Sequence, residues 1–532
     1  MSKSSDANWH EYFSLPNPGL VTYFDRVRKG NQDEYRTTFF KGKSLKQVLD
    51  GWKPTIETIS KKWPSLLDFE NDLAKKVGPL SIQKPLKDRM DDIDSYYDSI
   101  LLESKPLSKS AVAAVCSEWS KLGRLELRGQ KRTVDLMKKS TNSGSPFFTK
   151  RRAVVEKTIP LDLEIVDRNI VQTLIGNNRW YCAAVLGWRG QEGGPTDDDV
   201  KQRVVWMFPF GVNIRELQFY QPAIEQAQKF NLVPAWVSME AVDQRITKLF
   251  DTKGARDLIV CTDFSKFDQH FNADMQQCAK DVISHMLNST AESRTWLNEV
   301  FPVKYMIPLA FDYGRLRFGK HGMGSGSGGT NFDETLVHRA LQYEAAQAQR
   351  KQLNPNSQCL GDDGILSYPG ITAEDVMQVY SAHGQEMNLD KQYTSTHDCT
   401  YLRRWHDSEY RMDDICVGVY STYRALGRLC EQERFYDPEV WGPKMVALRQ
   451  LSILENCKYH PLREKFVQYC MKGDKFRLGL DIPGFFANLE HYAKESIDLM
   501  PDFLGYTRSL QRDSQSTGIT NWWIVKYLKS LG

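Results

Sequence analysis

Gln358-Cys359-Leu360-Gly361-Asp362-Asp363-Gly364-Ile365-Leu366-Ser367-Tyr368 decides the fold: two short apolar runs flank a turn that carries adjacent carboxylates. The run reads as strand, tight turn, strand, because Gly and Asp punctuate two strand-length apolar flanks. Composition alone would place a Gly-Asp-Asp in roughly one chain in ten of this size. Other acidic runs (Asp91-Asp92, Asp197-Asp198-Asp199, Asp413-Asp414) are read as solvent-facing. The setting separates 361–363 from them, since two like charges held at a rigid hairpin tip are costly unless a cation neutralises them.

Upstream, Leu258-Ile259-Val260-Cys261-Thr262 is a second short apolar run, ending at Asp263, with another acid at Asp268. If the two strands are neighbours, Asp263, Asp362 and Asp363 converge on one point. Three carboxylates suit a pair of Mg²⁺ ions, which take a few carboxylates together with phosphate oxygens and water. Two such ions stabilise the attacking and leaving oxygens of an in-line displacement. The pattern therefore points to nucleotidyl transfer, a reaction carried by positioning and charge neutralisation. A calcium-binding or purely structural acidic turn is the plainer alternative, and it leaves Asp263 and Asp268 unexplained.

Charge distribution adds a second line. Between Lys121 and Pro160 eleven Lys and Arg face three acids, a net of +8 in forty residues against +3 for the whole 532-residue chain. A solvated helix face would alternate signs, so a surface meeting phosphates fits better. A hydrophobic fraction of 41% with 13 Trp, 23 Tyr and 25 Phe supplies a large core, and 26% charged residues is ordinary for a folded protein. The longest apolar runs, 180–188 and 204–212, are about half the eighteen or so residues a membrane span needs. The first residues lack the apolar stretch of a secretory signal. The ten cysteines form no C-x-x-C pair. Cys457 and His460 have zinc-like spacing without a second pair, so the thiols are read as buried, free and in a reducing compartment.

Residues 1–90 read as an ordered extension wrapped over something else. A short helix is expected over 108–122, a loop over 141–146, mostly helix over 161–186, a flexible Gly-rich stretch over 187–195 and a strand over 203–208. Five glycines between Gly322 and Gly329 precede a helix opening at Thr330, with Leu336, Val337, Ala340, Leu341 and Ala345 at helical spacing. Beyond about 410 the pattern is largely helical. The end, with Trp522, Trp523, Ile524 and Leu528, reads as a last helix or, alternatively, as an aromatic stack inside a product channel.

The order of these features resembles the viral RNA-dependent RNA polymerases over about 141–404. Asp263-Phe-Ser-Lys-Phe-Asp268 resembles motif A, whose first Asp binds metal and whose second senses the ribose 2′-hydroxyl. Ser325-Gly326-Ser-Gly-Gly-Thr330-Asn331 resembles motif B, a glycine loop beside template and ribose, and Gly361-Asp362-Asp363 resembles motif C. Lys391 stands where the motif D lysine protonates departing pyrophosphate, and Tyr401-Leu-Arg403-Arg404 resembles motif E, which supports the primer end. Thr141-Asn-Ser143-Gly144-Ser-Pro146, followed by Lys150-Arg151-Arg152, resembles motif G at the template entrance. Lys201 and Arg203 resemble motif F, which holds the incoming triphosphate. Leu15-Pro-Asn-Pro-Gly19, Gly324 to Asn331 and Cys359 to Asp363 carry a closer likeness to the picobirnavirus polymerases, with partitivirus relatives as the alternative. There is one departure. Many relatives place an Asn four residues after the motif B Thr; here that position is Glu334, and Asn331 is the other candidate for the ribose contact. Its plainer role is a polar residue at a helix N-terminus.

The resemblance implies an α+β right hand of fingers, palm and thumb, with an antiparallel palm sheet and fingers closed on thumb. Residues 1–90 would bridge fingers and thumb, 91–210 form fingers, 211–410 the palm with an interleaved finger segment, and 411–532 the thumb and tail. It implies two Mg²⁺ ions (Mn²⁺ able to substitute) on Asp263, Asp362 and Asp363. The implied partners are template and product RNA, ribonucleoside triphosphates and a viral capsid protein, for a monomer that spans no membrane. Its work would be transcription and replication of a double-stranded RNA genome, in the virion interior and host cytoplasm. Two rival readings are a DNA-synthesising polymerase, against which Asp268 argues, and a non-enzymatic RNA-binding or capsid-associated protein that uses the basic segment alone.

Overall fold

Strand pairing organises the chain in the computed structural model, which describes residues 4–6, 8–499 and 518–532. The sheet that matters most has the order Gln358–Leu360, Asp363–Leu366, Ile259–Thr262, Tyr393–Ser395, antiparallel throughout. All four residues of Ile259–Thr262 are buried, which explains an apolar run without alternation. Helices Thr330–Ala348, Ala273–Met286 and Ala373–Ala382 pack together behind this sheet and share its core. Strands and helices mix as expected for an α+β fold.

A five-stranded sheet joins Ser4–Asp6, Arg315–Arg317, Leu309–Asp312, Ala184–Gln191 and Lys201–Met207 in that order. Three-stranded sheets are built from Asp398–Tyr401, Arg404–Asp407 and Val419–Tyr420, and from Asp162–Val166, Asn169–Leu174 and Asn178–Tyr181.

The last of these corrects the helical reading of 161–186. Asp162–Val166 is exposed at its first and third residues and buried between them, the period of a strand. Asp167 and Arg168 then take φ of +48° and +74°, the left-handed pair that a two-residue hairpin loop uses. Apolar density, read without its period, suggested a helix. The Gly-rich stretch 187–195 is also corrected: its first half is strand Ala184–Gln191, paired in register with Lys201–Met207 from Val185↔Met207 to Gln191↔Lys201. Its glycines serve close approach. A Cβ on Gly190 would lie 2.0 Å from the Leu80 carbonyl oxygen.

The N-terminal residues enter two separate cores. Trp9, Phe13, Leu20 and Phe24 pack with Ala183, Val185, Ala310 and Leu316 on the five-stranded sheet. Val48, Trp52, Ile56 and Leu66 pack instead with Leu426, Leu448, Leu451 and Phe466 of the C-terminal helices. Polar contacts fasten the second docking. The Trp52 indole donates to Thr422 Oγ1 at 2.8 Å, and fully buried Glu70 accepts from the Thr422 amide at 3.0 Å and from the hydroxyls of Ser421 and Thr422. His460, whose spacing from Cys457 resembles a zinc pair, instead places Nε2 3.0 Å from Glu70 Oε2. The final helix, Trp523–Leu531, buries Ile524, Val525 and Leu528 in this core, and its first amides, Trp523 and Ile524, donate to the Glu455 carboxylate. The aromatic end is therefore a packed helix.

Glu431 lies in the same junction, buried, with neither carboxyl oxygen accepting a hydrogen bond. Burial, and then the Glu34 carboxyl beside it, push Glu431 up to about 9, against the opposing pull of Arg36. A carboxyl that holds its proton in the folded state and releases it unfolded loses stability as pH climbs from the ordinary carboxyl range toward 9. Glu431→Gln should melt with the parent near pH 4.5 and increasingly above it as pH rises, by about 2–5 °C at pH 9.5, read by circular dichroism.

Candidate active site

The hairpin closes at the pair Leu360↔Asp363, leaving Gly361 and Asp362 as the turn. Gly361 has φ of +56°, which glycine supplies without strain. Across the sheet, the pair Gly364↔Thr262 sets Asp363 opposite Asp263 one residue further along. Directly opposed residues of antiparallel strands project on the same face. Backbone register therefore brings together carboxylates a hundred residues apart in the chain.

Helix Thr330–Ala348 pins the turn from below. Thr335 Oγ1 accepts from the Gly361 amide at 3.0 Å, and His338 Nδ1 donates to the Gly361 carbonyl at 2.8 Å. Burial lowers His338 to about 4, so the ring is neutral and Nδ1 carries its proton. Thr335 and His338 escaped the sequence reading, which registered only the apolar stripe of this helix. Their signal was present: Asn331, Glu334, Thr335 and His338 follow the i, i+3, i+4, i+7 spacing of a single face.

Electrostatics mark the carboxylates as a coupled set. Asp263 and Asp362 are open to solvent, yet both are raised from the ordinary range by partial desolvation, as for side chains on the wall of a cleft. For Asp362, Asp268 adds to the rise and Arg203 opposes it; for Asp263, Lys391, Lys76 and Lys201 oppose it. Asp363 is pushed up to about 7, by burial and then by Asp362, although its carboxylate accepts from the Leu402 amide at 2.8 Å. Glu334 is pushed well above its usual value by burial and then by Asp268, with which it shares a hydrogen bond. Among the described residues no three His, Cys, Asp or Glu form a ready-made metal cage. Carboxylates that raise one another have a deficit of positive charge, the deficit a divalent cation satisfies with help from phosphate and water. The donor set fits that ion.

Cations ring the set. Lys391 is exposed beside Asp263, and its neighbour Gln392 clamps the Asp263 peptide, accepting from the amide and donating to the carbonyl, each at 2.8 Å. Sequence reading also missed Gln392. Lys201 and Arg203 are exposed on their strand; Lys201 acts on Asp263, and Arg203 on Asp362 and Glu334. Arg403 is half-exposed, acts on Asp363 and pairs with Glu192 at 3.0 Å. Arg404 turns the other way. Its guanidinium forks onto Asp243 at 2.9 and 3.2 Å, a buried structural pair that corrects its reading as an RNA contact.

The glycine loop before Thr330 leans on the same strand. Ser325 Oγ accepts from the Trp206 amide at 3.2 Å, and Gly326 approaches the Trp206 carbonyl so closely that a Cβ would overlap it. Thr330 Oγ1 lies 3.1–3.3 Å from the carbonyls of Gly324, Ser325 and Ser327, holding the loop's shape. Asn331 Oδ1 accepts from the Trp236 indole at 2.8 Å. Of the two candidates for the ribose contact, Glu334 shares a hydrogen bond with Asp268, while Asn331 turns its Nδ2 toward Gly361 of the turn, as Glu334 does its Oε2. In the 141–152 loop, Thr141, Lys150 and Arg152 are exposed, while Ser143 and Gly144 are buried against the start of helix Phe210–Lys229. Arg151 donates to Asn213 Oδ1 at 2.7 Å and lies over the Phe210 ring, so Arg151 and Ser143 build the loop rather than present it.

A palm-like antiparallel sheet with paired aspartates on a turn, a third on the next strand and a glycine loop above them defines a template-copying polymerase of the right-hand class. Residues 192–414 match the family described as viral RNA-dependent RNA polymerase. The chain belongs to the picobirnavirus RNA-dependent RNA polymerases. It is 62% identical over 527 residues, 98% of both chains, to the potential RNA-dependent RNA polymerase of human picobirnavirus (strain Human/Thailand/Hy005102/-). It resembles the crystal structure of a human picobirnavirus RNA-dependent RNA polymerase with a TM-score of 0.95 at 61% identity, covering 98% of this chain and 99% of that one. An insertion-loop deletion mutant of such a polymerase matches at 0.92 and 59%, with the same coverage. The chain is thus an enzyme that acts on RNA and nucleotides.

His338→Ala removes a turn-positioning contact without touching a carboxylate. Displacing reacting groups by about 1 Å costs on the order of 100-fold, so kcat for nucleotide incorporation should fall about 10- to 100-fold. The Kd for RNA, measured by fluorescence anisotropy, should stay within about twofold of the parent.

Proposed function

We propose that this polymerase transcribes and replicates a double-stranded RNA genome by two-metal nucleotidyl transfer, with Asp263, Asp362 and Asp363 holding the ions. The register that sets Asp363 opposite Asp263 is the observation that carries the reading. When bound, two Mg²⁺ ions, or Mn²⁺ in their place, supply charge stabilisation to the attacking 3′-oxygen and the departing pyrophosphate. The chain's own groups do the rest. Lys201 and Arg203 neutralise and orient the triphosphate, and the exposed Lys391 ammonium gives a proton to the pyrophosphate oxygen that leaves. Asp268, backed by Glu334, meets the ribose 2′-hydroxyl. The Ser325-to-Asn331 loop lies beside the template. Thr141, Lys150, Arg152 and Arg403 offer exposed polar and cationic side chains to RNA phosphates.

In this reading residues 91–210 are fingers, 211–410 palm and 411–532 thumb. Residues 1–90 close the hand, because their apolar side chains enter both the core of the five-stranded sheet and that of the C-terminal helices. The enzyme acts as a monomer, alongside a capsid protein, in the virion interior and host cytoplasm. No described helix is long and apolar enough to cross a membrane.

Asp362→Ala with Asp363→Ala should lower template-directed incorporation more than about 1000-fold while RNA affinity changes less than about twofold, since phosphate contacts lie elsewhere. Undiminished synthesis by this variant would refute the metal assignment. The parent enzyme, given an RNA template and Mg²⁺, should incorporate ribonucleotides in preference to deoxyribonucleotides; the opposite preference would replace this reading with a DNA-synthesising one.

A further inference from the structure

A cleft of about 950 Å³ opens between the N-terminal segment around Thr38–Thr55 and the C-terminal helices around 438–476, a region that belongs to the second core and not to the catalytic sheet. Five lysines line it: Lys41, Lys43, Lys465, Lys472 and Lys475. All five are exposed, and none forms an ion pair among the described residues. Two acids share the lining, Glu439 and Asp474. Asp474 is engaged inside the protein, accepting from Gln450 Nε2 at 3.0 Å and the Leu478 amide at 2.8 Å. Unpaired like charges gathered in one concavity repel, and an anion relieves them.

The walls are aromatic and preformed. Tyr469 and Phe476 are partly exposed in the lining, and the lysines at 43 and 475 sit over the rings of Phe40 and Phe476, each at 5.4 Å. The Phe40 amide donates to the Gly473 carbonyl at 2.7 Å, and the Tyr469 hydroxyl donates to the Val48 carbonyl at 2.6 Å, stapling one wall to the other. The lysines come from separate segments, so positive charge is spread along the cleft instead of focused on one point. Spread ammonium groups interleaved with ring faces are the combination that holds a nucleic-acid single strand, phosphates on the cations and bases on the rings.

We propose that this cleft is a second RNA site, apart from the catalytic carboxylates, that holds a short single-stranded segment. The inference goes beyond the catalytic reading and rests only on the chain meeting RNA. The test is binding of a fluorescein-labelled single-stranded decaribonucleotide, without nucleotides or divalent metal, from 50 to 200 mM salt. Failure of the catalytic reading would leave this readout unmoved. Each single-strand phosphate contact contributes about 0.7 to the slope of log K against log salt. The triple variant Lys465→Glu, Lys472→Glu, Lys475→Glu should bind about tenfold more weakly and lose about 2 from that slope. A triple variant of equal charge elsewhere, Lys109→Glu, Lys248→Glu, Lys351→Glu, should change affinity less than about twofold. In the unaltered protein, 4-thiouridine RNA should crosslink to the peptide containing Tyr469 and Phe476, a readout that does not depend on any variant folding. Equal weakening by both triples, unchanged binding by the first, or absence of the crosslink would overturn the proposal. So would a polyglutamate peptide that displaces the RNA from the crosslinked peptide at lower concentration than RNA itself, which would assign the cleft to an acidic protein segment.

Discussion

Everything at the candidate active face depends on holding like charges together. The antiparallel register of Asp363–Leu366 on Ile259–Thr262 forces two carboxylates to face one another, and the turn adds a third. Mutual repulsion would splay a mobile loop, so the turn needs an anchor stronger than its own two strands. Helix Thr330–Ala348 supplies it by gripping both polar groups of the Gly361 peptide. The glycine loop at the head of that helix, the strand carrying Lys201 and Arg203, and the Gln392 clamp on Asp263 are then placed relative to a fixed point. The tension between carboxylates is kept in the folded state because the surroundings leave it nowhere to relax.

How much of this was legible depended on whether a signal was local. The strand-turn-strand at 358–368 was readable because period, turn residues and charge all agreed over eleven residues. Asp263 was readable because its strand ends abruptly at a charge. The meander over 162–181 was not, because its apolar content outweighed its alternation until the left-handed pair Asp167-Arg168 was seen as a turn. The roles of single cations were the least readable. Arg403 and Arg404 are adjacent and chemically identical, yet one faces the cleft and the other is committed to Asp243, a residue 161 positions away. Arg151 and Lys150 divide in the same way. Nothing in sequence separates such neighbours, since the partner that captures one of them is brought near only by the completed fold.

Thr335 and His338 illustrate a different limit. A threonine and a neutral histidine on the polar side of a helix carry no chemical signature of their own. Their importance lies in two backbone atoms, the amide and carbonyl of Gly361, and sequence does not show where backbone atoms go. Glu334 shares their helix face, and its departure from the Asn of many relatives became interpretable once its carboxyl was found beside Asp268.

The N-terminal segment has a consequence in time as well as space. Trp52 finds its hydrogen-bond partner 370 residues later, and Glu70 meets His460 390 residues later. A ribosome adding about 5–20 residues per second releases these side chains long before their partners exist. Contacts so distant along the chain also make for slow closure. The nascent chain must carry a set of bare tryptophans and leucines through most of its own synthesis, a period in which it is open to chaperones and to aggregation. The N-terminal side chains of this core therefore have no native partners until the C-terminal helices have been made.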